Sequence, residues 1–386
     1  MEKCTEVHGD IKLQRASEIV VDGKRTLSFQ TSYGYKLITV DVDVRKVYIE
    51  VTTLCNFDCT TCVRNSWDDS LGKMDYDTFQ LIIQQLKELP DLEWVHLGGF
   101  GEPLSHPEIF EMIKQIKDLG LKVEIISNGS LLTQEAAQKL IDLQIDRLFI
   151  SLDGPDEEAY NEIRVGADFV TVIGNIKALN KLKSERNATY PELGIEFVAM
   201  KKNFHKLPQL AKLTTELHAR KLLVTNVMPY NEELKDEILY DMDDTTLLFG
   251  KDSLHTLMKA TMPEMKLRTD RHCKFVGDKA LTITREGKIA PCYALMHGYN
   301  CFIYGRKKKI YPYYLGDLKS ESLKEIWTKP EYVLFRARIN DFQFPSCTDC
   351  RALDGCSYVD DNLMDCWGNG PSCAECLWAR RMIMCP

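Results

Sequence analysis

The fold is decided by Val47-Tyr48-Ile49-Glu50-Val51 and by the stretch that soon follows, Cys55-Asn56-Phe57-Asp58-Cys59-Thr60-Thr61-Cys62. The first segment is short, apolar and β-branched, which predicts a buried strand. The second is a C-x3-C-x2-C loop. Three thiolates at this spacing can hold three corners of a [4Fe–4S] cube and leave its fourth iron open. A zinc knuckle or three unligated thiols would use the same residues, but zinc usually takes a fourth ligand nearby, and no Cys or His follows within about thirty residues.

Outward from this loop, strand and helix patterns alternate. Amphipathic segments at 77–89, 107–119 and 134–143 predict helices. The further strands are predicted at Trp94–Leu97, Val123–Ser127, Leu148–Leu152, Ile195–Ala199 and Leu222–Val227. Six βα repeats predict a parallel sheet covered by helices, so the expected fold class is α/β with a partial (β/α)6 barrel. Such barrels place their chemistry at the carboxyl ends of the strands.

The flanking regions suggest three domains. Residues 1–45 predict a small β-rich lead-in, with strands around a turn at Asp22-Gly23. Residues 46–255 are expected to form the partial barrel, and residues 256–386 a cysteine-rich domain. The acidic stretch at 229–270 is interpreted as a partly helical linker between the last two.

Composition excludes several classes of protein. The 386 residues carry a net charge of -8, which disfavours nucleic-acid binding through a general basic field. The one basic run, 306–309, is interpreted as a solvated loop. No stretch approaches the roughly 20 apolar residues of a membrane span, and no signal-peptide core follows Met1, so no membrane partner and a cytoplasmic location are expected. The fourteen cysteines cluster, three at 55–62 and ten at 273–385, as ligand sets do.

The cysteine loop after strand one of a partial barrel resembles the radical S-adenosylmethionine (SAM) superfamily. The resemblance implies that the open iron binds SAM and that an electron from the cluster cleaves it to a 5′-deoxyadenosyl radical. The residue before the third cysteine is commonly aromatic or large and apolar in that family. Thr61 stands there, so only a backbone contact to adenine is implied at this position.

The residues after the next strands resemble the family's SAM pocket. Glycines let the backbone approach a ligand, and Glu102 suits the methionyl ammonium. Arg164 matches the arginine that pairs with the SAM carboxylate. The implied SAM-contacting residues are Gly98, Gly99, Phe100, Gly101, Glu102, Ser127, Asn128, Ser151, Asp153, Arg164 and Thr61. A plain βα turn, a surface salt bridge of Arg164 and hydrogen bonds at the strand ends of Ser127 and Asp153 remain alternatives.

The second cysteine field resembles the SPASM extension of radical SAM maturases, which carries two auxiliary [4Fe–4S] clusters. Cys273-x13-Gly287-x4-Cys292 and Cys347-x2-Cys350-x5-Cys356 match its pattern. Asp360 stands where a further cysteine is expected, so that role is carried to Cys366. One division assigns Cys273, Cys292 and Cys366 to one cluster, and Cys347, Cys350, Cys356 and either Cys373 or Cys376 to the other. Cys301, Asp360 and Cys385 are additional candidates, and zinc ribbons are the alternative.

The motifs Cys62-Val63-Arg64-Asn65-Ser66-Trp67 and 371–380 are similar to radical SAM maturases associated with tungsten-cofactor oxidoreductases. This resemblance implies a substrate that is a tungsten enzyme or an associated peptide, and an electron donor such as ferredoxin or flavodoxin. A ribosomal-peptide or sulfatase-type maturase and a non-catalytic electron carrier are the alternatives. No catalytic acid or base is assigned. Asp241, Asp243, Tyr293 and His297 lie towards the expected substrate side but have no spacing logic.

Overall fold

The N-terminal part of the structure is a small antiparallel sheet. The computed structural model describes residues 17–31, 34–240, 259–261 (backbone only) and 271–384. Strands β1 (Ser17–Val21), β2 (Lys24–Thr31) and β3 (Gly34–Thr39) lie in that order. Leu27 of this sheet is buried against the C-terminal part of the chain. The described part of the predicted lead-in is therefore β-rich, and its boundary at 45/46 stays a prediction.

Six parallel strands, adjacent in chain order, form the centre of the main sheet. They are β4 (Lys46–Glu50), β5 (Trp94–Gly98), β6 (Lys122–Ser127), β7 (Arg147–Ser151), β8 (Glu192–Ala199) and β9 (Lys221–Asn226). Each begins and ends within three residues of its predicted position. Local apolar runs bounded by turn residues were sufficient to locate them, because buried parallel strands are apolar on both faces.

The sheet extends past these six strands and stays open. Strand β10 (Lys259–Thr261) pairs with β9 at one edge, and β11 (Ala280–Ile283) pairs in parallel with β4 at the other. Strand β12 (Lys288–Ala290) follows β11, β13 (Tyr299–Ile303) and β14 (Arg306–Ile310) form a separate hairpin, and β15 (Gly316–Asp317) is the last strand of the main sheet. The barrel is thus partial, as expected. The domain boundary at 255/256 lies outside the described residues and stays a prediction.

Helices cover the outer face of the sheet because their apolar stripes have no other place to be buried. The first begins with Asp75, whose carboxylate accepts a hydrogen bond from Thr78 N at 2.7 Å. Its Phe79 and Ile82 are fully buried. The helices up to residue 240 are α1 (Tyr76–Leu86), α2 (Ile109–Asp118), α3 (Gln134–Asp142), α4 (Glu157–Ile163), α5 (Phe169–Glu185), α6 (Lys201–Phe204), α7 (Leu207–Glu216) and α8 (Glu232–Lys235).

The inner face of the sheet is partly charged. Glu124 is buried and lies 3.1 Å from His96 Nδ1 and 3.5 Å from Arg147 Nη1, and it also pairs with Lys46. Because each carboxylate oxygen has a cationic or ring-nitrogen partner, the charge is tolerated inside the protein.

The C-terminal part packs back onto the barrel. It contains α9 (Lys274–Gly277), α10 (Leu323–Trp327) and α11 (Pro330–Asn340), followed by short 3-10 turns. The final described residues return to β9, where Met384 N donates to Thr225 Oγ1 at 2.8 Å and Asn226 Nδ2 donates to Met382 O at 2.8 Å. Among the described helices, none has the length and apolar character that crossing a membrane requires.

Candidate active site

The three cysteines of the C-x3-C-x2-C loop lie beyond the carboxyl end of β4. They line one cavity of about 280 Å³. Cys59 is buried, and Cys55 and Cys62 are half-buried. A backbone hydrogen bond from Thr60 N to Ile163 O, 2.9 Å long, ties the loop to the end of α4. The three thiols are therefore held on a fixed loop and reach a common space.

Nitrogen donors are directed at the sulfur atoms of this loop. Arg64 Nε donates to Cys62 Sγ at 3.1 Å, and Phe57 N donates to Cys55 Sγ at 3.4 Å. Asn128 Nδ2 approaches Cys55 Sγ at 3.7 Å. Such donors stabilise thiolates, which are the form of cysteine that binds metal. The donor set therefore fits an iron–sulfur cluster held by three cysteines.

Without metal, burial disfavours these thiolates. Burial raises the pKa of Cys59 to about 11, although the Arg164 guanidinium partly opposes this. Burial also raises the pKa of the Cys55 thiol. Because ligation requires the thiolate, binding of a metal cluster would release the protons of these two groups.

Two glycines after β5 bring the backbone close to its neighbours. Gly99 has φ +106°, and a Cβ there would lie 2.6 Å from Glu50 Cγ. A Cβ on Gly101 would lie 2.4 Å from the carbonyl oxygen of Thr52. A side chain at Gly101 would require the backbone to shift, and one at Gly99 would displace Glu50 and strain a φ that residues with a Cβ rarely adopt. This packing holds the loop after β5 against the loop after β4, directly beside the three cysteines.

Glu102 joins the loops that follow β5 and β6. Its Oε1 accepts from Ser127 Oγ at 2.8 Å and Leu104 N at 3.0 Å, and its Oε2 accepts from Asn128 N at 2.7 Å. Burial raises the pKa of Glu102, and these donors lower it in part. A carboxylate offers about four lone-pair sites, so it has capacity for one further donor, such as the predicted SAM ammonium.

Arg164 is anchored by Asp153 at the edge of the same cavity. Arg164 Nε donates to Asp153 Oδ2 at 2.8 Å, and Asp153 Oδ1 accepts from Val198 N at 2.8 Å. Burial alone would lower the pKa of Arg164, but the charges of Asp153 and Cys59 raise it overall. The guanidinium is therefore a fixed positive charge on the cavity wall, which suits a carboxylate ligand.

Most of the predicted SAM-contacting residues meet around this cavity. Those that line it are Thr61, Gly99, Phe100, Gly101, Glu102, Ser127, Asn128, Ser151 and Arg164. Gly98 and Asp153 stand behind the wall: Gly98 packs on His96, and Asp153 orients Arg164. The strand-end placement that the sequence predicts thus brings residues from four strands to one space.

Glu196 is a cavity residue that the sequence prediction missed. It lies on β8 opposite Ser151, whose Oγ donates to Glu196 Oε2 at 3.4 Å. Burial raises the pKa of Glu196 to about 7; Arg164 lowers it and Asp153 adds to the rise. The available signal was a carboxylate within the apolar run 195–199, since unpaired Glu is rarely buried.

The remaining wall comes from distant parts of the chain. Tyr293 lines it, as do Trp378, Ile383 and Met384 of the C-terminal segment. Nothing local in the sequence connects these residues with the barrel.

His297 lies nearby without lining the cavity. Its Nε2 is 2.9 Å from Glu50 Oε1, and its Nδ1 is 2.9 Å from Asp69 Oδ2. Asp241 and Asp243 lie outside the described residues.

Four C-terminal cysteines line a second, smaller cavity of about 40 Å³. They are Cys273, Cys292, Cys373 and Cys376. Burial raises the pKa of Cys273 to about 12, and the nearby Cys376 thiol adds to the rise. The other lining residues are mainly apolar, including Phe275, Phe335 and Phe344. Four thiols in an apolar cavity fit a fully cysteine-ligated cluster.

A further four cysteines group together nearer the surface. Burial raises the pKa of Cys347 to about 12, and its cysteine neighbours Cys366 and Cys356 contribute. Burial raises the pKa of Cys366, and the nearby Cys356 and Cys350 add to the rise. Cys350 is exposed. In the described part of the chain, no three His, Cys, Asp or Glu side chains converge closely enough to hold a single metal ion.

These groups differ from the division suggested by the sequence. Cys366 lies with Cys347, Cys350 and Cys356, whereas Cys373 and Cys376 both lie with Cys273 and Cys292. The reason is the return of the C-terminal segment, where His272 N donates to Ala379 O at 2.7 Å and brings residues 373–376 beside Cys273.

Of the additional ligand candidates, Cys301 and Asp360 do not line the buried cysteine cavity. Cys301 is buried in β13 among apolar side chains such as Tyr299 and Leu377. Asp360 is exposed, and its backbone oxygen accepts from Lys309 N at 2.8 Å. Cys385 lies outside the described residues.

Comparison with known proteins settles the family. The model of the radical SAM superfamily matches residues 49–199, and the iron–sulfur cluster-binding domain called SPASM matches residues 273–351. The chain is 36% identical over 347 residues to the tungsten-containing aldehyde ferredoxin oxidoreductase cofactor-modifying protein of Pyrococcus furiosus, covering 89% of this chain and 97% of that protein. The chain belongs to the radical SAM superfamily. It is an enzyme with a [4Fe–4S] cluster that works with SAM and with a SPASM domain that binds auxiliary iron–sulfur clusters.

Other radical SAM proteins are similar over less of the chain or at lower identity. The PqqA peptide cyclase of Bradyrhizobium diazoefficiens is 28% identical, over 64% of this chain and 66% of its own length. Streptococcus suis SuiB bound to the precursor peptide SuiA superposes with a TM-score of 0.57 at 17% identity, covering 83% of this chain and 73% of SuiB. Native anSMEcpe with bound AdoMet gives a TM-score of 0.58 at 16% identity, covering 87% of this chain and 95% of anSMEcpe. The two structures confirm the fold.

Proposed function

We propose that this radical SAM enzyme is a maturase that cleaves SAM and modifies a tungsten-cofactor oxidoreductase, its cofactor or a peptide associated with it. The single observation that carries this proposal is the 36% identity over 97% of the Pyrococcus cofactor-modifying protein. Because it covers 89% of this chain, that correspondence includes the barrel and most of the SPASM-matched residues 273–351. A relative that shared only the barrel would share SAM cleavage without the wall that faces the substrate.

The residues of the cavity have separate proposed roles in binding the cluster and SAM. In this proposal Cys55, Cys59 and Cys62 hold the cluster, which when bound supplies the electron that cleaves SAM to a 5′-deoxyadenosyl radical. Arg164 binds the SAM carboxylate, with Asp153 fixing its orientation at 2.8 Å. Glu102 holds two loops in register and takes one donor from the SAM ammonium. The glycine-rich turn lets the ligand approach the backbone.

The auxiliary cysteines serve the substrate side. We assign one auxiliary cluster to Cys273, Cys292, Cys373 and Cys376, and the other to Cys347, Cys350, Cys356 and Cys366, because each set of thiols lies together. Both sets have four cysteines, so neither leaves an iron open to substrate. Their expected role is to accept or pass electrons. A ferredoxin or flavodoxin is the proposed electron donor, and a reducing cytoplasm is the proposed location.

A peptide maturase is the second candidate. It is favoured by the similarity to PqqA peptide cyclase, which covers 64% of this chain. The weaker coverage ranks it below the tungsten-enzyme proposal. A carrier without catalysis is disfavoured because it would not need Arg164, Glu102 and a polar cavity around three cysteines.

The test is an anaerobic reaction of the reconstituted protein with SAM and dithionite. One sample contains an unmatured tungsten oxidoreductase and another a PqqA-type precursor peptide, with a no-substrate control. We expect 5′-deoxyadenosine in all three and a mass change or gain of activity only with the tungsten enzyme. A mass change confined to the peptide would favour the second candidate, and the absence of 5′-deoxyadenosine would contradict both. For substitutions of the proposed cluster cysteines, Cys301→Ala is the matched control, because Cys301 is buried and belongs to neither C-terminal cysteine group.

A further inference from the structure

Arg64 contacts the cluster loop at three points. Its Nε donates to Cys62 Sγ at 3.1 Å, its Nη1 to Thr53 O at 3.1 Å and its Nη2 to Phe57 O at 3.0 Å. The two carbonyls belong to the start and the middle of the loop, and the sulfur belongs to its end. One guanidinium therefore spans the segment that carries the three cysteines.

The contact with sulfur is made by a charged donor. Within the described residues Arg64 forms no ion pair with a carboxylate, so its guanidinium donates to the Cys62 sulfur and to two carbonyl oxygens. Arginine also presents its donors in a rigid fork, which a lysine cannot reproduce.

Hydrogen bonds to cysteine sulfur are known to set the reduction potential of iron–sulfur clusters. A reduced cluster carries one more negative charge than the oxidised one, and part of that charge lies on the sulfur atoms. A charge-assisted N–H···S bond therefore stabilises the reduced form more than the oxidised form. The expected consequence is a higher potential and easier reduction.

We propose that Arg64 is a positioning residue that fixes the cysteine loop and raises the reduction potential of the SAM-cleaving cluster. This inference rests on the proposed ligation by Cys55, Cys59 and Cys62. It also gives a physical role to Arg64 within the motif at 62–67, which begins with the third cysteine of the loop.

The experiment is a redox titration of the reconstituted full-length protein, followed by the electron paramagnetic resonance signal that responds to SAM. The variants are Arg64→Met and Arg64→Lys, and the matched control is Asn65→Ala. Asn65 Nδ2 donates to Cys59 O at 3.2 Å, so it holds the same loop without touching sulfur. Iron content is measured for each protein, and the SAM-independent signals of the auxiliary clusters serve as an internal control.

We expect the Arg64 variants to lower the midpoint potential of the SAM-responsive signal by about 60 mV. At a fixed potential, this shift corresponds to about tenfold less reduced cluster. Asn65→Ala and the auxiliary signals should not shift. Arg64→Lys keeps a positive charge, and its midpoint potential is used if Arg64→Met does not load iron. A wild-type midpoint in a fully loaded Arg64 variant overturns this inference alone. Absence of a SAM-responsive signal in the wild-type protein overturns it together with the proposed function.

Discussion

The cysteine loop of the barrel and the buried cysteine group of the C-terminal part are built in opposite ways. The loop holds its three cysteines within eight consecutive residues, 55–62, beside a cavity of about 280 Å³ with polar walls. The buried group collects four cysteines from 273–376 around about 40 Å³ of mainly apolar space. The first arrangement leaves room and hydrogen-bonding groups for a ligand, and the second excludes one. Under the proposed function, this difference separates the site where SAM is cleaved from the sites that store electrons.

Removing the loop cysteines gives the largest effect that this comparison predicts. The triple variant Cys55→Ala, Cys59→Ala and Cys62→Ala should lose about four of about twelve irons and all formation of 5′-deoxyadenosine, because the open iron is lost. Iron analysis and chromatography of the reaction measure the two quantities. Cys301→Ala should match the wild type in both. Residual SAM cleavage in the triple variant would show that the cluster is held elsewhere.

Pairs of C-terminal substitutions test the assignment of the two auxiliary groups. Cys350→Ala with Cys366→Ala should cost one cluster, or about four irons, because both lie in the same group, whereas Cys350→Ala with Cys376→Ala should cost two. Both double variants should still form 5′-deoxyadenosine while product is lost. Equal iron loss in the two variants would break the assignment. Circular dichroism and SAM binding are needed beside the iron analysis, because loss of a ligand can unfold a metal-dependent domain.

Substitution of Arg164 tests the polar wall of the open cavity. Arg164→Ala should weaken SAM binding by about 1.5–3 kcal/mol, or roughly ten- to a hundredfold, because a charge-assisted hydrogen bond is lost. Iron content should remain at the wild-type level. Isothermal titration with SAM measures the change. Arg147→Ala is a suitable control, since Arg147 pairs with Glu124 and does not line the cavity. An unchanged affinity would place the SAM carboxylate elsewhere.

Glu196, in the open cavity, should make the stability of the protein depend on pH. Its pKa is raised to about 7, so between about 4.5 and 7 the folded protein holds a proton that the unfolded chain has released. Stability due to this group therefore falls as pH rises through that window, and the full cost is present above it. Glu196→Gln stays neutral and should gain roughly 1–3 kcal/mol relative to the wild type on going from pH 4.5 to pH 8. Anaerobic denaturant unfolding at both pH values measures the gain, and a pH-independent difference would contradict it.

The smallest expected effect concerns the contact between the C-terminal part and the barrel. His297 bonds to Glu50 and Asp69 of the barrel; burial opposes its charge, but these carboxylates raise its pKa overall. Stability from this charge is full below the ordinary pKa of about 6.5 and is lost as pH rises through the higher folded value. His297→Gln should therefore cost about 1 kcal/mol, or roughly 2 °C in Tm, at pH 6 and less at pH 9. A Tm difference that grows with pH would contradict this sign.

Local sequence determined the barrel and its first cluster site. The six strands were located within three residues because short apolar runs between turn residues are a local property. The three thiols of 55–62 belong together for the same reason, since eight residues of loop leave little freedom in where they lie. The glycine-rich turn could be predicted because it follows a strand end, and the ends of parallel strands meet at one edge of a sheet. Arg164 follows α4 and was predicted from the resemblance to the family.

Only the tertiary structure decided which distant residues share a site. The pairing of Cys373 and Cys376 with Cys273 depends on the return of the C-terminal segment to His272 and to β9. The position of Glu196 in the cavity depends on which face of β8 is turned inwards, which alternation on an apolar strand does not fix by itself. Contacts between residues far apart in sequence are set by packing of whole elements, and a local pattern carries no record of that packing.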